Sequence, residues 1–150
     1  MIKLIRTNSD NSDFRALVVL LDQYLSYTDG EEHSFYAQYN KLDKIREVVV
    51  AYSNDIPVGC GAIKEYTADI VEVKRMFVHP DYRKQGIAKL ILTELEHWAK
   101  ESCFSACILE TGKRQHEAIN LYQQSNYQII PNYGQYVEVY NSVCMRKQLS

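Results

Sequence analysis

A short basic loop between a strand-like segment and a helix-like segment constrains the fold of this chain more than any other feature. Residues 71–78 are largely apolar, and residues 87–101 repeat apolar side chains at helical spacing. They are joined by Arg83-Lys84-Gln85-Gly86-Ile87-Ala88. Glycine lets a backbone come close to a ligand, and the first N–H groups of a helix have no partner within it. With the positive charge of Arg83 and Lys84, the loop predicts a phosphate-binding site.

This loop differs from the two best-known nucleotide-binding loops. A Walker loop needs Gly-Lys followed by Ser or Thr, and a dinucleotide-binding loop needs three spaced glycines. Residues 69–109 read as strand, helix and strand, an order that favours a right-handed parallel crossover. Ligands of such sheets bind at the carboxyl ends of the strands, and the loop lies at one of those ends.

The composition is that of a single globular domain. A chain of 150 residues can bury a core without disulfides or metals, so we expect one domain over residues 1–150. A net charge of −2 disfavours a nucleic-acid partner. No apolar run reaches membrane-spanning length, and residues 1–6 are too short and too charged for a signal peptide. We therefore expect a cytoplasmic protein without membrane contact.

Neither the cysteines nor the histidines predict a metal site. Cys60, Cys103, Cys107 and Cys144 form no C-x-x-C pair, and we expect all four to be reduced core residues. The four histidines have no spacing typical of metal ligands. We therefore predict that the protein uses no metal ion.

Hydrophobic periodicity predicts a mixed α/β order. Strands are expected over residues 2–6, 47–53, 58–66, 69–78, 105–109, 127–130 and 143–147. Helices are expected from about residue 12 and over residues 34–42, 87–101 and 117–124. The turn signal over residues 54–57 favours an antiparallel hairpin. In the helix over residues 87–101, charges are expected opposite an apolar face made by Ile87, Leu90, Ile91, Leu95 and Trp98.

Four segments resemble the GNAT acyl-CoA N-acyltransferases in order and spacing. The loop matches that family's Arg/Gln-x-x-Gly-x-Gly/Ala signature, with Ala88 in the small last position. Three other segments also match: residues 72–83 before the loop, Leu109-Glu110-Thr111-Gly112 at the end of the next strand, and Glu117-Ala118-Ile119-Asn120-Leu121-Tyr122. The sequence departs from the family at Gln115, where asparagine is common, and at Asn126-Tyr127, which replaces Gly-Phe.

The resemblance implies an acyl-CoA N-acyltransferase fold of the α/β (mixed α+β) class. That fold has a central mixed, mostly antiparallel sheet of about seven strands, with about four helices on its faces. Acetyl-CoA is the implied co-substrate, whose pantetheine arm enters a V between two splayed strands and pairs with the backbone. The implied cofactor-binding residues are Met76, Phe77, Val78, Arg83, Lys84, Gln85, Gly86, Ile87, Ala88 and Gln115.

Two side chains are the implied catalytic residues. An alkyl amine with a pKa near ~10 must lose a proton before it attacks a thioester, and Glu72 occupies the family position of a general base. Burial in the cleft is expected to raise the Glu72 pKa. The alternatives are that Glu72 pairs with Arg75 or Lys74, or binds the acceptor. Tyr122 occupies the position of the family's tyrosine near the sulfur, where a phenol can protonate the departing thiolate; the alternative is a core aromatic residue.

The acceptor is less constrained by the sequence than the donor. Arg75, Glu110, Thr111 and Tyr133 are candidate substrate-binding residues, and Arg75 suits the carboxylate of an amino acid. We expect an N-acetyltransferase acting on the primary amine of a small molecule or an amino acid. The alternatives are a protein N-terminal or lysine acetyltransferase and a non-catalytic acyl-CoA-binding module. The C-terminal strands leave a homodimer possible.

Overall fold

The computed structural model describes residues 1–29 and 45–150. Within them the chain forms seven strands and three α-helices, and the helix expected over residues 34–42 lies outside the described residues. The elements are β1 (Ile2–Thr7), α1 (Ser12–Asp29), β2 (Glu47–Ser53), β3 (Ile56–Glu65), β4 (Ile70–Val78), α2 (Ile87–Glu101), β5 (Ala106–Gly112), α3 (His116–Gln124), β6 (Gln128–Ile130) and β7 (Ser142–Gln148). This order confirms the mixed α/β fold class, and β5 continues to Gly112 instead of ending at residue 109.

The seven strands form one sheet in the order β1-β2-β3-β4-β5-β7-β6. All neighbours are antiparallel except β4 and β5, which run parallel because α2 connects them. The expected hairpin between β2 and β3 turns at Asn54 and Asp55, where both φ angles are positive. Asparagine and aspartate tolerate this left-handed conformation better than most residues, so the turn is short.

The parallel strands β4 and β5 separate before they end. They pair only from Ile70 opposite Ala106 to Glu72 opposite Ile108. Beyond that point β4 follows β3 while β5 follows β7 along its whole length. A V-shaped gap therefore opens toward the carboxyl ends of β4 and β5.

A bulge in β4 bends this strand at the gap. Phe77 faces Cys60 in β3, yet Lys74 faces Ala62, so β4 contains one more residue than β3 between these pairs. Arg75 lies inside the bulge with a φ of 61°, a left-handed conformation that is unusual for arginine. A bulge of this kind re-aims the side chains that follow it.

Helices cover both faces of the sheet. We name the faces after α2 and α1. On the α2 face, apolar residues of β4 such as Val71, Val73 and Val78 pack with the core of α2 and with Tyr122 of α3. On the α1 face, Phe77 packs with the buried side of α1. The buried side of α1 consists of Phe14, Leu17, Val18 and Leu21.

Three expectations about individual residues were wrong. Leu90 of α2 is 45% exposed, whereas Glu96 on the same helix is buried. Glu96 is accommodated because the Tyr127 hydroxyl and the Lys147 ammonium each donate to its carboxylate at 2.9 Å. Cys103 is exposed instead of lying in the core. It follows the last turn of α2 with a φ of 69°, the left-handed conformation that ends helices and turns a side chain outward.

Candidate active site

A cavity of about 600 Å³ occupies the gap between β4 and β5. Its wall combines residues from β4, β5, α1, α3, the loop after β4 and the start of α2. Because the two strands separate here, the cavity reaches both faces of the sheet. Ligand sites at the carboxyl ends of parallel strands are a general property of such sheets.

The loop before α2 presents backbone donors to this cavity. Lys84 and Gly86 both adopt left-handed conformations, with φ of 63° and 80°. Gly86 is the residue that precedes α2, and no side chain there bonds to the first N–H groups of the helix. A Cβ added at Gly86 would meet no atom within 4 Å, so the space in front of the helix is open. This arrangement suits an anionic ligand.

Arg83 is held by the protein instead of extending freely into the cavity. Its Nε donates to the carbonyl of Val78 at 2.9 Å. Its guanidinium carbon lies 5.1 Å from the ring centroid of Tyr24 and 5.7 Å from that of Phe77. Arg83 therefore connects the loop to β4 and α1, and its charge is fixed at the rim of the cavity.

The last residues of β4 direct backbone groups toward the gap. The N–H of His79 donates to the carbonyl of Val58 in β3 at 2.8 Å. Successive residues of a strand direct their backbone groups to opposite edges, so those of Val78 point away from β3. The carbonyl of Val78 accepts from Arg83 Nε, whereas its N–H points to the space where an extended ligand could lie beside β4 as an additional strand would.

Glu72 lies on the α1 face at the point where β4 and β5 separate. It alternates with Val71 and Val73, which face α2, and it is buried. The Tyr133 hydroxyl donates to Glu72 Oε2 at 2.5 Å, and Lys74 Nζ lies 3.6 Å from Glu72 Oε1. Of the two alternative partners, Lys74 is therefore the one that Glu72 approaches.

Tyr122 of α3 enters the cavity from the α2 face. Its ring is 6% exposed and packs edge-on against Tyr127, with 5.7 Å between the centroids. Among the described residues, no group forms a hydrogen bond with its hydroxyl. Burial raises the pKa of Tyr122, and the charge of Glu110 raises it further. Tyr122 is therefore a hydrogen-bond donor throughout the neutral pH range.

Most of the residues singled out in the sequence lie on the wall of this one cavity. Gln85 and Tyr133 do not, and Tyr133 instead lies behind Glu72. Glu110 accepts a hydrogen bond from the Ser142 hydroxyl at 2.7 Å, and Gln115 lies at the start of α3. The singled-out residues on the wall are Glu72, Arg75, Met76, Phe77, Val78, Arg83, Lys84, Gly86, Ile87, Ala88, Glu110, Thr111, Gln115 and Tyr122.

Arg75 pairs with α1 instead of with Glu72. Its Nη1 lies 3.1 Å from Asp22 Oδ1, and its side chain is only 2% exposed. No expectation from the sequence included Asp22, and Lys74, which lines the cavity, was expected only as a partner of Glu72. Strand alternation would have placed Lys74 beside Glu72, since residues two apart share a face. No local signal links Asp22 to Arg75, because the pair depends on how α1 packs.

Residues 1–29 and 45–150 contain neither a cluster of metal-ligand side chains nor a helix that could span a membrane. No group of three or more His, Cys, Asp or Glu side chains is placed to hold a metal ion there. None of the helices in this part of the chain is long and apolar enough to cross a membrane.

Comparison with known proteins identifies the family. The model of the acetyltransferase (GNAT) family matches residues 14–127. An IAA acetyltransferase of Azospirillum brasilense is 35% identical over 136 residues, which cover 89% of this chain and 88% of that protein. The uncharacterized N-acetyltransferase YsnE of Bacillus subtilis is 32% identical over 114 residues, 72% of this chain and 76% of YsnE.

Solved structures share the whole fold. A Klebsiella pneumoniae protein assigned as an acyl-CoA N-acyltransferase superposes with a TM-score of 0.84 and 27% identity, covering 100% of this chain and 99% of that one. The PaiA N-acetyltransferase of Thermoplasma acidophilum, solved in complex with coenzyme A, superposes with a TM-score of 0.73 and 16% identity over 99% of each chain. The protein therefore belongs to the acetyltransferase (GNAT) family and is an N-acetyltransferase by that membership.

Proposed function

We propose that this enzyme transfers an acetyl group from acetyl-CoA directly to the primary amine of a small molecule or an amino acid. The observation that carries the proposal is that Glu72 and Tyr122 line one cavity from opposite faces of the sheet. A thioester lying in the gap between β4 and β5 would have a carboxylate on one side and a phenol on the other. The acceptor would then approach from the α1 face.

The donor would be held mainly by backbone groups. The open N–H groups at the start of α2 and the left-handed residues Lys84 and Gly86 would bind the diphosphate. The pantetheine arm would pair with the edge of β4 that the bulge exposes, near Met76 and Val78. The complex of PaiA with coenzyme A supports this choice of donor, because PaiA has the same fold.

The reaction removes two protons from the nitrogen of the acceptor ammonium, and it needs one negative charge stabilised. Glu72 would take a proton from the ammonium, directly or through a water, and the amine nitrogen would form a bond to the thioester carbon. A backbone N–H of β4 would stabilise the oxyanion. The carbon–sulfur bond would then break, the nitrogen would lose its second proton to water, and the thiolate would take a proton from water.

Tyr122 would act on the departing sulfur as a hydrogen-bond donor. Burial raises the pKa of its hydroxyl above the ordinary value of 10, whereas an ordinary thiol has a pKa of about 8.5. Complete proton transfer from Tyr122 to the thiolate would therefore be uphill. A charge-assisted hydrogen bond to the developing thiolate needs no such transfer.

Thiol release tests the proposal directly. The enzyme is incubated with acetyl-CoA and a panel of alkyl amines, polyamines, amino sugars, amino acids and peptides with a free N-terminus or lysine. We expect release of free thiol with at least one small amine and little with the peptides. Coenzyme A binding without thiol release with any acceptor would refute the enzyme assignment, and release with peptides alone would favour a protein acetyltransferase.

Glu72→Gln tests the proposed base without changing the shape of the side chain. We expect kcat/KM to fall by about 100-fold near pH 7, within the usual range for a general base. The loss should shrink as the pH rises toward ~10, because more of the amine is then already deprotonated. An equal loss at every pH would assign Glu72 to acceptor binding instead of proton transfer.

A further inference from the structure

We propose that the acceptor carries a carboxylate, and that Arg75 binds it on the α1 face of the cavity. The acceptor is then an amino acid, whose amine lies near Glu72 and whose carboxylate lies near Arg75. This inference rests on the proposed function and narrows its substrate class.

The guanidinium of Arg75 has too few partners for a buried charge. Its side chain is 2% exposed, and Asp22 accepts the one hydrogen bond that the described residues provide, from Nη1. The Nε N–H is buried and has no acceptor within residues 1–29 and 45–150. Buried donors are nearly always paired, and an unpaired one beside a cavity marks a place where a ligand oxygen belongs.

The surroundings of Arg75 favour an additional anion. Burial lowers the pKa of the guanidinium, and the charge and hydrogen bond of Asp22 only oppose that effect. Asp22 itself is half exposed, so its charge is partly screened by solvent. A carboxylate at the Nε edge would form two parallel hydrogen bonds in the geometry that arginine prefers.

The backbone holds Arg75 in this place at a cost. The left-handed φ of 61° strains a residue that has a Cβ. The carbonyl of Arg75 accepts a hydrogen bond from the buried thiol of Cys60 at 3.4 Å, which fixes the bulge against β3. Strain of this kind persists where the surrounding structure imposes it, and here it places the guanidinium on the same face as Glu72.

The charges on this face match an amino acid. Glu72 and Glu110 are acidic, and Lys74 and Arg75 follow Glu72 along β4. Lys74 Nζ lies 3.6 Å from Glu72 Oε1, so Lys74 has a carboxylate partner of its own. An amine without a carboxylate would leave the Nε N–H of Arg75 with no acceptor among the described residues.

The alternative is that Arg75 only ties β4 to α1 through Asp22. The two readings differ in the effect of Asp22→Asn. If Arg75 binds a carboxylate, this variant removes a competing negative charge and should tighten amino-acid binding several-fold. If Arg75 is only a tie, the variant should lower the melting temperature and leave ligand binding unchanged. Asp22 is half exposed, so we expect the variant to fold.

Calorimetric titration with amino acids and their amides tests the proposal. The probes are glycine, alanine, leucine, methionine and phenylalanine at up to about 10 mM, tenfold above the usual upper range of KM values. Each acid is compared with its amide, which keeps the size and loses the charge. We expect at least one acid to bind about tenfold or more tightly than its amide, and Arg75→Lys to remove that preference because a lysine cannot form the bidentate contact.

Each other outcome contradicts the inference. Equal binding of acid and amide, no binding of any probe acid, or an unchanged preference in Arg75→Lys would overturn it. Thiol release measured in parallel separates this inference from the proposed function. Acetylation of amides as fast as acids would keep the acetyl transfer and overturn the carboxylate site. Amino-acid binding without acetylation would keep the carboxylate site and overturn the proposed transfer.

Discussion

Replacing Tyr122 by phenylalanine should lower turnover with little change in stability. The ring, its contact with Tyr127 and its burial all remain, because only the hydroxyl is removed. Among the described residues no group bonds to that hydroxyl, so its loss should change the free energy of unfolding by less than about 0.5 kcal/mol. Its proposed hydrogen bond to a developing thiolate is of the charged kind, worth about 1.5–3 kcal/mol.

These energies give a measurable change in rate. At about 1.36 kcal/mol for each tenfold change, the loss corresponds to a fall in kcat of roughly 10-fold to 150-fold. The KM for acetyl-CoA should change by less than about threefold, because the bond forms mainly as the carbon–sulfur bond breaks. Steady-state thiol release gives both constants, and thermal unfolding reports stability.

Tyr127→Phe is the matched control. Its hydroxyl donates to the buried carboxylate of Glu96, so its loss should cost about 1–3 kcal/mol of stability. It takes no part in the proposed reaction, and kcat should stay near the wild-type value. If Tyr122→Phe left kcat unchanged, or lowered it only together with the melting temperature, Tyr122 would be a packing residue.

Three further predictions concern the loop, the thiols and the buried tyrosines. Gly86→Ala should lower the free energy of unfolding by about 1–2 kcal/mol because φ is 80°, and Gly86→Asn should lower it less. Both variants should raise the KM for acetyl-CoA. An unchanged KM in both would show that the diphosphate does not bind at this loop. Burial raises the pKa of Cys60 and Cys107 to about 12 and that of Cys144 to about 11. A thiol reagent at pH 8 should therefore label only the exposed Cys103 rapidly in the native protein, and rapid labelling of a second cysteine would contradict this prediction. Burial also raises the pKa of several tyrosines above 10, so above pH 10 the folded state keeps protons that the unfolded state releases. Urea titrations should therefore show a free energy of unfolding that is constant up to about pH 10 and falls as the pH rises further. Equal stability at pH 9 and 11 would contradict this prediction. The tyrosines concerned are Tyr122, Tyr127, Tyr133 and Tyr136.

The order of strands and helices could be predicted from the sequence because it depends on local periodicity. Strand alternation and helical spacing act over a few residues, so β1 to β7 and the three described helices lie within a few residues of their expected positions. Which residues of a helix are buried was harder to predict than the position of the helix. In α2, Leu90 is exposed and Glu96 is buried, because the partners of Glu96 come from Tyr127 and from Lys147, which is 51 residues away.

The cavity wall around residues 83–88 and Tyr122 was more predictable than the wall around Glu72 and Arg75. The loop over residues 83–88 and Tyr122 belong to motifs whose spacing is local, and the structure places most of them on one cavity wall. The wall around Glu72 and Arg75 depends on contacts between distant elements. Tyr133 approaches Glu72 across 61 residues, and Asp22 approaches Arg75 across 53. No pattern in either segment indicates these pairs.

The order of strands and helices, the position of the basic loop and the family could all be predicted from the amino-acid sequence, because each follows from short-range spacing of residue types. The bend in β4 and the pairing of charges depend on contacts between distant elements and became visible only in the folded chain. No glycine or asparagine near Arg75 predicts the bulge from the sequence. The left-handed backbone at Arg75 is imposed by packing against β3 and α1. β4 and β5 stop pairing after Glu72 and Ile108, and the Nε of Arg75 has no partner in the part of the chain that the structure describes.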